Sequence, residues 1–501
     1  MDRPLRHGTL LLVTGIRKIT ARAPFFRARL VIVALALAAP IPGEAGIGHL
    51  PDLGHASAVV MSRAKQRAFG KAFLRHARKT LRFVDDPAAT STVRRLGRRL
   101  VAASPDPQIR FHFYIVESPV VNAFSVPGGY VFINTGAILA ARDEDELAAV
   151  MAHEISHDTQ RHIPRLIAFS KRLSWAELAG MLAGLALMGS SQFEGGAAAM
   201  SLSSAGLAAE TLKHRRGYES EADHIGLRTM ARAGFNPRAM AAFFQRLKTD
   251  DRFMTVDIPE SWRTHPATDI RIAEAENLAA RYPNTPIRDR PSFDRLQAAL
   301  IADEAPAHDA RARITQQLRG RKDTSAFDYG RALVDLRLGR LQAARGRLAR
   351  LARAHPRVVA YRLGLADAAR AAGRYRRAVT AFRAAWALRP QSIALAVSYT
   401  QALLAASEDR RALREARHLV ARHPYRGSLY RLLAQAYGFA HNYLEAHEAL
   451  AEARYRQGDA AAARRQLRLA RPFATTAGER ARLKTFTTAI HEGWRAPPTF
   501  P

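Results

Sequence analysis

One pentapeptide in the chain combines the residue types that bind a catalytic metal ion. His153, Glu154 and His157 form the sequence HEISH. Histidines four residues apart lie on one face of a helix, so both imidazoles can reach one ion. A glutamate beside the first histidine can act as the general base that takes a proton from the attacking water. The pentapeptide therefore indicates a hydrolytic zinc site, and two solvated histidines on a helix are the alternative.

A hydrolytic zinc ion needs a third protein ligand, which must come from elsewhere in the chain. In metzincins it is a histidine ten residues after the first, but that position is Ile163 here. His162 misses the spacing by one residue and is interpreted as structural or as support for a ligand. Glu219 and Asp223 lie four residues apart on a predicted helix, whereas Glu221 points away from their shared face. Glu219 could bind zinc and Asp223 could orient a ligating histidine; a solvated, charged helix face is the alternative.

The elements that position these residues are predicted from local sequence pattern. Residues 57–103 have helical amphipathic periodicity, and residues 111–118 form an aromatic and β-branched run typical of a strand. A second strand is predicted over Tyr130–Asn134, after a Pro-Gly-Gly turn. Asp143, with Glu146 three residues later, predicts a capping box where the helix that carries HEISH begins. The predicted fold class is mostly α with a small β-sheet.

Four motifs in a fixed order resemble a known peptidase family. They are NAFSVPGGYVFINTG, DEDELAAVMAHEISHDTQRH, YESEAD and THPATDIR. Together they are similar to the gluzincin metallopeptidases that include HtpX and the CAAX prenyl endoproteases, and most similar to the periplasmic BepA-type members with C-terminal repeats. The resemblance covers a zinc metallopeptidase domain over residues 57–290 and implies a helical, zincin-like fold.

The same resemblance implies the roles of the site residues. His153, His157 and Glu219 match the three ligands of one Zn²⁺ ion per chain. Glu154 matches the general base, and Asp223 matches an aspartate that supports a ligand.

Two further residues match the last motif. His265 matches a histidine that can fill the fourth zinc position and hold the enzyme latent, and a mobile imidazole there could instead donate to the tetrahedral oxyanion. A surface histidine before a proline is the plain alternative. Arg271 matches the arginine that closes the motif and is expected to position its loop.

The second predicted strand is interpreted as an open edge that pairs with the substrate backbone. An extended peptide can add to such an edge through main-chain hydrogen bonds, with little sequence preference. An ordinary strand beside a glycine turn is the alternative. The residues of this predicted substrate strand are Tyr130, Val131, Phe132, Ile133 and Asn134.

Two other segments concern access to the site and the location of the chain. Residues 1–29 are basic and precede ten apolar residues and a small-residue site, which predicts a signal peptide over residues 1–45. Its cleavage would place the mature chain in the periplasm, and an uncleaved inner-membrane anchor is the alternative. Residues 174–212 are rich in Ala, Gly, Leu and Met, which predicts a helical hairpin with a mobile connection over the site. A plain core helix and loop is the alternative.

The C-terminal third carries a repeat of 34 residues. Three prolines and four alanines recur at this spacing: Pro356, Pro390, Pro424, Ala344, Ala378, Ala412 and Ala446. A period of 34 with A-x3-F and a closing proline is typical of tetratricopeptide repeats, in which paired antiparallel helices stack into a solenoid. We predict this solenoid over residues 326–501, after a linker over residues 291–325. Its turns are predicted at Gly339, Gly373, Ser407 and residues 441–442.

The net charge and the absence of cysteine limit the kinds of site and binding partner that the chain can have. The chain has 501 residues, a formal net charge of +33 and no cysteine, which excludes disulfides, thiolate metal sites and cysteine nucleophiles. Residues 331–501 hold 32 basic and 11 acidic side chains, so a basic groove would favour acidic partners or a charged membrane surface. Plain solvated arginines are the alternative. No nucleic-acid partner is expected, because basic residues do not alternate with stacking aromatics.

These features predict a zinc endopeptidase of the periplasm. By resemblance, its substrates are misfolded or stalled outer-membrane proteins, and the repeats recruit substrate or the outer-membrane assembly machinery. The alternative is a chaperone-like scaffold for outer-membrane protein assembly with latent or secondary proteolysis, and a third hypothesis is a binding protein with a vestigial zinc site. Loss of the cellular phenotype in Glu154→Gln would favour the peptidase; loss only on reversal of repeat charges would favour the scaffold.

Overall fold

The computed structural model describes residues 61–169, 205–249, 265, 268–283, 285–286, 290–320 and 323–491. The predicted signal peptide and most of the predicted hairpin over residues 174–212 lie outside these ranges. Within them the chain is mostly helical with one three-stranded sheet, which confirms the predicted fold class. None of the helices in this part of the chain is long and apolar enough to span a membrane.

The N-terminal half places helices around the sheet. The predicted helical stretch over residues 57–103 forms two helices, each begun by a side-chain cap, from Ser62 and Asp86. In chain order, the elements of this half are α1 (Arg63–Thr80), α2 (Pro87–Ala103), β1 (His112–Val116), β2 (Ala123–Val126), β3 (Tyr130–Asn134), α3 (Thr135–Ala140), α4 (Glu144–Thr159), α5 (His162–Phe169), α6 (Ala205–Arg232), α7 (Arg238–Thr249) and α8 (Asp269–Ala279).

The sheet corrects one prediction about the substrate strand. Its order is β1-β3-β2, with β1 parallel and β2 antiparallel to β3. Both sides of Tyr130–Asn134 are therefore paired, and the prediction that this strand is an open edge is wrong. The two edge strands are β1 and β2, and β2, whose four residues precede the Pro-Gly-Gly turn, is a strand that the sequence analysis did not predict.

The backbone pairing of β2 decides which of its groups face outward. The N–H of Asn134 donates to the carbonyl oxygen of Asn122 at 3.0 Å. Paired and unpaired residues alternate along an antiparallel ladder, so Phe124 also bonds toward β3. The backbone groups of Ala123 and Ser125 consequently point away from the sheet.

Helix α4 begins as its sequence predicts. The carboxylate of Asp143 accepts the backbone N–H groups of Asp145 and Glu146. The return bond differs from a regular capping box, because Glu146 accepts from the N–H of Arg142 at 2.6 Å. Nearly every residue of α4 is buried, which places HEISH inside the molecule.

Helix α6 packs closely against α4. Gly226 makes this approach possible, because a Cβ there would lie 3.2 Å from the backbone nitrogen of His153. Leu227 and Met230 add apolar contact on the same side and are fully buried. The acidic residues of α6 are therefore held against the histidines of α4.

The region predicted as a linker is largely helical. It forms α9 (Pro291–Glu304) and α10 (Ala310–Gln317). Leu296 of α9 belongs to the core of the peptidase half, whereas Ile301 packs in a cluster with Val334 of the repeat half. Helix α9 thus contributes to two cores.

The C-terminal half is a stack of helical hairpins, which confirms the predicted solenoid. Its helices are α11 (Ser325–Arg337), α12 (Leu341–Ala354), α13 (Val359–Ala371), α14 (Tyr375–Ala387), α15 (Ile393–Ala405), α16 (Asp409–Arg422), α17 (Gly427–Phe439), α18 (Tyr443–Arg456), α19 (Ala460–Ala470) and α20 (Ala477–His491). The four predicted turns each have a residue with positive φ, at Gly339, Gly373, Ser407 and His441. These residues are 34 positions apart, so the sequence period is also the period of the fold.

Candidate metal centre

The three predicted zinc ligands converge at the contact between α4 and α6. His153 Nε2 and His157 Nε2 lie 2.9 Å apart. Glu219 of α6 presents its two carboxylate oxygens to them, at 3.3 Å from His153 and 3.5 Å from His157. The side chains of these three residues are only 6–12% exposed. The structure therefore brings together residues that are 66 positions apart in the sequence.

The spacing of these atoms fits a tetrahedral zinc ion. Ligands at about 2.0–2.1 Å from zinc in a tetrahedron lie about 3.3 Å from one another. The three measured separations, from 2.9 to 3.5 Å, bracket this value. Two imidazoles and one carboxylate are also the donor set of a common class of hydrolytic zinc site. The donors therefore suit zinc in both type and spacing.

His265 is the fourth member of the cluster. Its Nδ1 atom lies 2.8 Å from the Glu219 carboxylate and 3.2 Å from His153 Nε2. One donor atom from each of the four residues falls within 4.8 Å of the others. His265 thus lies where a fourth ligand would lie, with its side chain 23% exposed.

Asp223 and Arg271 hold the carboxylate side of the cluster. Asp223 Oδ1 lies 2.8 Å from His153 Nδ1, the ring nitrogen that points away from the other ligands. Arg271 Nε and Nη2 donate to the two oxygens of Asp223 at 2.7 and 2.9 Å, and its Nη1 lies 3.1 Å from Glu219. Arg271 therefore contacts both carboxylates directly, a closer role than the predicted positioning of a loop.

The electrostatics of the cluster favour a bound cation. Burial acts to lower the pKa of His153, but the hydrogen bonds and charges of Asp223 and Glu219 outweigh it and raise the pKa to about 10. Burial would raise the pKa of Glu219, yet the neighbouring His265 charge and the bond with His153 hold it well below its usual range. Burial lowers the pKa of His157. Anionic surroundings that stabilise a proton on His153 also stabilise a metal ion.

Glu154 lies beside the ligands without being one of them. Its side chain is 3% exposed, and Oε1 is 3.5 Å from His265 Nε2. Its other oxygen, Oε2, is buried and has no hydrogen-bond partner within the described ranges. Burial raises the pKa of this carboxyl, and the charges of His265 and His153, with a hydrogen bond from Ser125 of β2, partly oppose this shift. A buried carboxylate with an unused oxygen is suited to accept a proton.

His162 is the site residue whose contact was not assigned from sequence. Its Nδ1 lies 2.9 Å from Nδ1 of His157, and its Nε2 faces Glu221 at 3.3 Å. Burial lowers the pKa of His162 to about 4. Helix α4 ends at Thr159 and Arg161 has a positive φ of 57°, so the chain turns and brings His162 back to the ligand. A positive φ at arginine has no reliable sequence signal, which is why the contact could not be predicted.

The comparisons with known proteins agree with the geometry of the site. The profile described as peptidase family M48 matches residues 87–279, a range that contains every predicted ligand. A Vibrio cholerae protein with the provisional name beta-barrel assembly-enhancing protease is 35% identical, over 66% of this chain and 69% of its own length.

Two further relatives cover less of their own length. The beta-barrel assembly-enhancing protease of Yersinia pestis is 36% identical over 46% of this chain and 47% of that protein. A mitochondrial metalloendopeptidase of Schizosaccharomyces pombe is 34% identical over 37% of this chain and 52% of that protein. The chain thus spans about half the length of these two relatives.

Proposed function

The chain belongs to peptidase family M48 and is a metallopeptidase, and from that premise we propose that it is a zinc-dependent endopeptidase of the periplasm. The observation that carries the proposal is the convergence of His153, His157 and Glu219 at separations suited to tetrahedral zinc. Its proposed substrates are misfolded or stalled outer-membrane proteins, which accords with relatives named for beta-barrel assembly.

In this proposal the chemistry is divided among the buried side chains. His153, His157 and Glu219 would hold the ion. Bound zinc would supply a Lewis acid that polarises the scissile carbonyl and lowers the pKa of water. Glu154 takes the proton of the attacking water on its unused oxygen and passes it to the leaving amine.

The resting position of His265 supports a latent enzyme. Its imidazole lies at the fourth corner of the ligand cluster, the place where water or the substrate carbonyl has to enter. We propose that His265 blocks this corner until it moves. The alternative role, donation to the oxyanion, requires the same residue to leave the corner first.

Substrate is proposed to bind along β2. The backbone groups of Ala123 and Ser125 point away from β3, the direction from which an added strand would pair, and Ser125 also contacts the general base Glu154. An extended peptide on this edge would therefore pass next to the reacting groups.

Strand addition predicts a period of two in the substrate. In a set of peptides, each with one backbone amide replaced by an ester, every second replacement should lower kcat/KM roughly threefold to tenfold, the effect of one net hydrogen bond. The intervening replacements should leave the rate unchanged. An even profile along the peptide would contradict the role of β2.

The repeats are proposed to recruit substrate or the outer-membrane assembly machinery. Their excess of basic side chains favours acidic protein partners, or a charged membrane surface. In this organisation residues 1–45 are the signal peptide, residues 57–290 the peptidase, residues 291–325 the connection and residues 326–501 the repeats. The scaffold hypothesis uses the same repeat surface and is separated from the first by the Glu154→Gln phenotype.

Metal content is the direct test of the zinc proposal. We expect about one zinc per purified chain by mass spectrometry, and loss of most of it in Glu219→Ala, which removes one of three ligands. Glu276→Ala is the matched control. Glu276 of α8 accepts a hydrogen bond from Gln245 of α7 and contacts no ligand atom among the described residues. Absence of zinc from the wild type after incubation with the metal would overturn the proposal. Unlike an activity assay, this measurement does not depend on whether the enzyme is latent.

A further inference from the structure

The ring of His162 lies directly behind the proposed ligand His157. Their Nδ1 atoms are 2.9 Å apart, and the two rings meet edge to face with centroids separated by 4.7 Å. His162 is 2% exposed, so water does not compete for this contact. A histidine that binds a metal almost always donates its second ring N–H to a fixed acceptor, which sets its tautomer and orientation.

A chain of contacts continues from His162 to the carboxylate of Glu221. His162 Nε2 faces Glu221 Oε2 at 3.3 Å, and the same oxygen accepts from Arg165 Nη1 at 2.8 Å. The aromatic ring of Tyr218 stacks on the imidazole of His162 with an interplanar angle of 16°. The Arg165 guanidinium in turn lies over the ring of Tyr218, 4.8 Å from its centroid. The His162 ring is therefore held by the stacked ring of Tyr218 and by the edge-to-face contact with His157.

The direction of each hydrogen bond follows from the geometry. His157 Nε2 faces the ligand cluster, so its lone pair has to be free for the metal and its hydrogen has to lie on Nδ1. His162 Nδ1 then has to accept, which leaves the hydrogen of His162 on Nε2, opposite Glu221. Glu221 Oε2 lies 3.3 Å from this nitrogen without the alignment of a hydrogen bond, so its negative charge favours this tautomer by electrostatic attraction.

Resting on the zinc site proposed above, we propose that His162 is a positioning residue that fixes the tautomer and orientation of His157, and that Glu221 fixes His162. The two histidine ligands are then supported in parallel ways. His153 reaches the carboxylate of Asp223 directly, and His157 reaches that of Glu221 through one imidazole. Glu221, which points away from the ligand face of α6, thereby has a role in the site.

Two substitutions at His162 separate positioning from packing. His162→Phe keeps an aromatic ring to stack on Tyr218 but has no acceptor. His162→Asn loses the ring but can place Oδ1 where Nδ1 now lies. We expect the zinc affinity of the full chain, measured by competition with a chromophoric chelator, to fall roughly 10–100-fold in His162→Phe and to stay within a few-fold of wild type in His162→Asn. The absorption spectrum of the Co²⁺-loaded protein should change in the same order.

A role in packing alone predicts the opposite order. His162→Phe would then retain the zinc affinity and His162→Asn would lower the thermal midpoint of the metal-free chain, and this result would overturn the inference. Glu221→Gln leaves the buried imidazole in place and should weaken zinc binding several-fold, so the inference remains testable if a His162 variant fails to fold. Unchanged affinity in both His162→Phe and Glu221→Gln would overturn the inference alone, whereas a wild type that binds no zinc would overturn the zinc proposal as well.

Discussion

At the residue scale, one arginine offsets the free-energy cost of burying the carboxylates of the metal centre. Arg271 is 6% exposed, contacts both Asp223 and Glu219, and lies over the ring of Phe244 at 4.6 Å. An isolated buried carboxylate would cost several kcal/mol, so these pairings are a condition of the site. The hydrogen bonds and charge of Arg271 lower the pKa of Asp223, so that carboxylate stays ionised opposite His153.

The role of His265 can be tested at the same scale. Its hydrogen bond to a charged carboxylate is of a type that contributes roughly 1.5–3 kcal/mol, so we expect His265→Ala to raise the cleavage rate of an unfolded protein substrate roughly 10–100-fold. His308→Ala, at a histidine whose side chain is 81% exposed, should leave the rate unchanged. A lower rate in His265→Ala would assign His265 to the oxyanion instead of to latency.

At the element scale, the repeat helices carry acidic side chains in their interiors. Glu452 of α18 is 0% exposed and accepts from Arg456 Nε at 2.5 Å, one turn along the same helix. Its other oxygen has no hydrogen-bond partner within the described ranges. Burial raises the pKa of Glu452 to about 7, against the opposing charge and hydrogen bond of Arg456. Helix α18 is therefore more stable with Glu452 protonated.

This shift predicts a pH dependence of stability. The folded chain binds the Glu452 proton more tightly than the unfolded chain, so its contribution is complete below about pH 4.5 and is lost as the pH rises to about 7. The shift corresponds to a loss of about 3 kcal/mol. The free energy of unfolding in urea should therefore fall with rising pH more steeply in the wild type than in Glu452→Gln. The difference in favour of Glu452→Gln should grow from pH 5 to pH 8. A constant difference between the two proteins would contradict the prediction.

At the scale of the whole molecule, α9 joins the peptidase half to the repeat half. Gln297 is fully buried and donates to the carbonyl oxygens of Ile138 and Ala141 at 2.9 and 2.7 Å. Side chains on the same helix enter the cores of both halves. A helix shared by two cores couples their stabilities, so the two halves are expected to unfold together.

Replacing Gln297 tests this coupling. Gln297→Leu would leave two buried carbonyl oxygens without these donors, and we expect it to lower the free energy of unfolding by roughly 1–3 kcal/mol. Calorimetry should show a single transition that moves as a unit. Gln401→Leu, on an exposed position of α15, should leave the midpoint unchanged. Two separate transitions, of which only one moves, would contradict the coupling.

The sequence by itself determined the features that depend on local spacing. Two histidines four residues apart require only one helix to meet, and Asp143 caps that helix through N–H groups two and three residues away. The repeat turns follow the 34-residue period for the same reason, since each hairpin is a local unit. The family motifs further indicated Glu219 and Asp223 as partners of the pentapeptide.

Only the tertiary structure decided the features that depend on distant segments meeting. Strand β3 is central because it pairs with both β1 and β2. The sequence of one strand does not specify which other strands it pairs with. The contact of His162 with His157 depends on a left-handed turn at Arg161, and the support from Glu221 depends on how α6 packs against the end of α4. Such contacts are fixed by the packing of whole elements, whose energies are summed over many residues far apart in the chain.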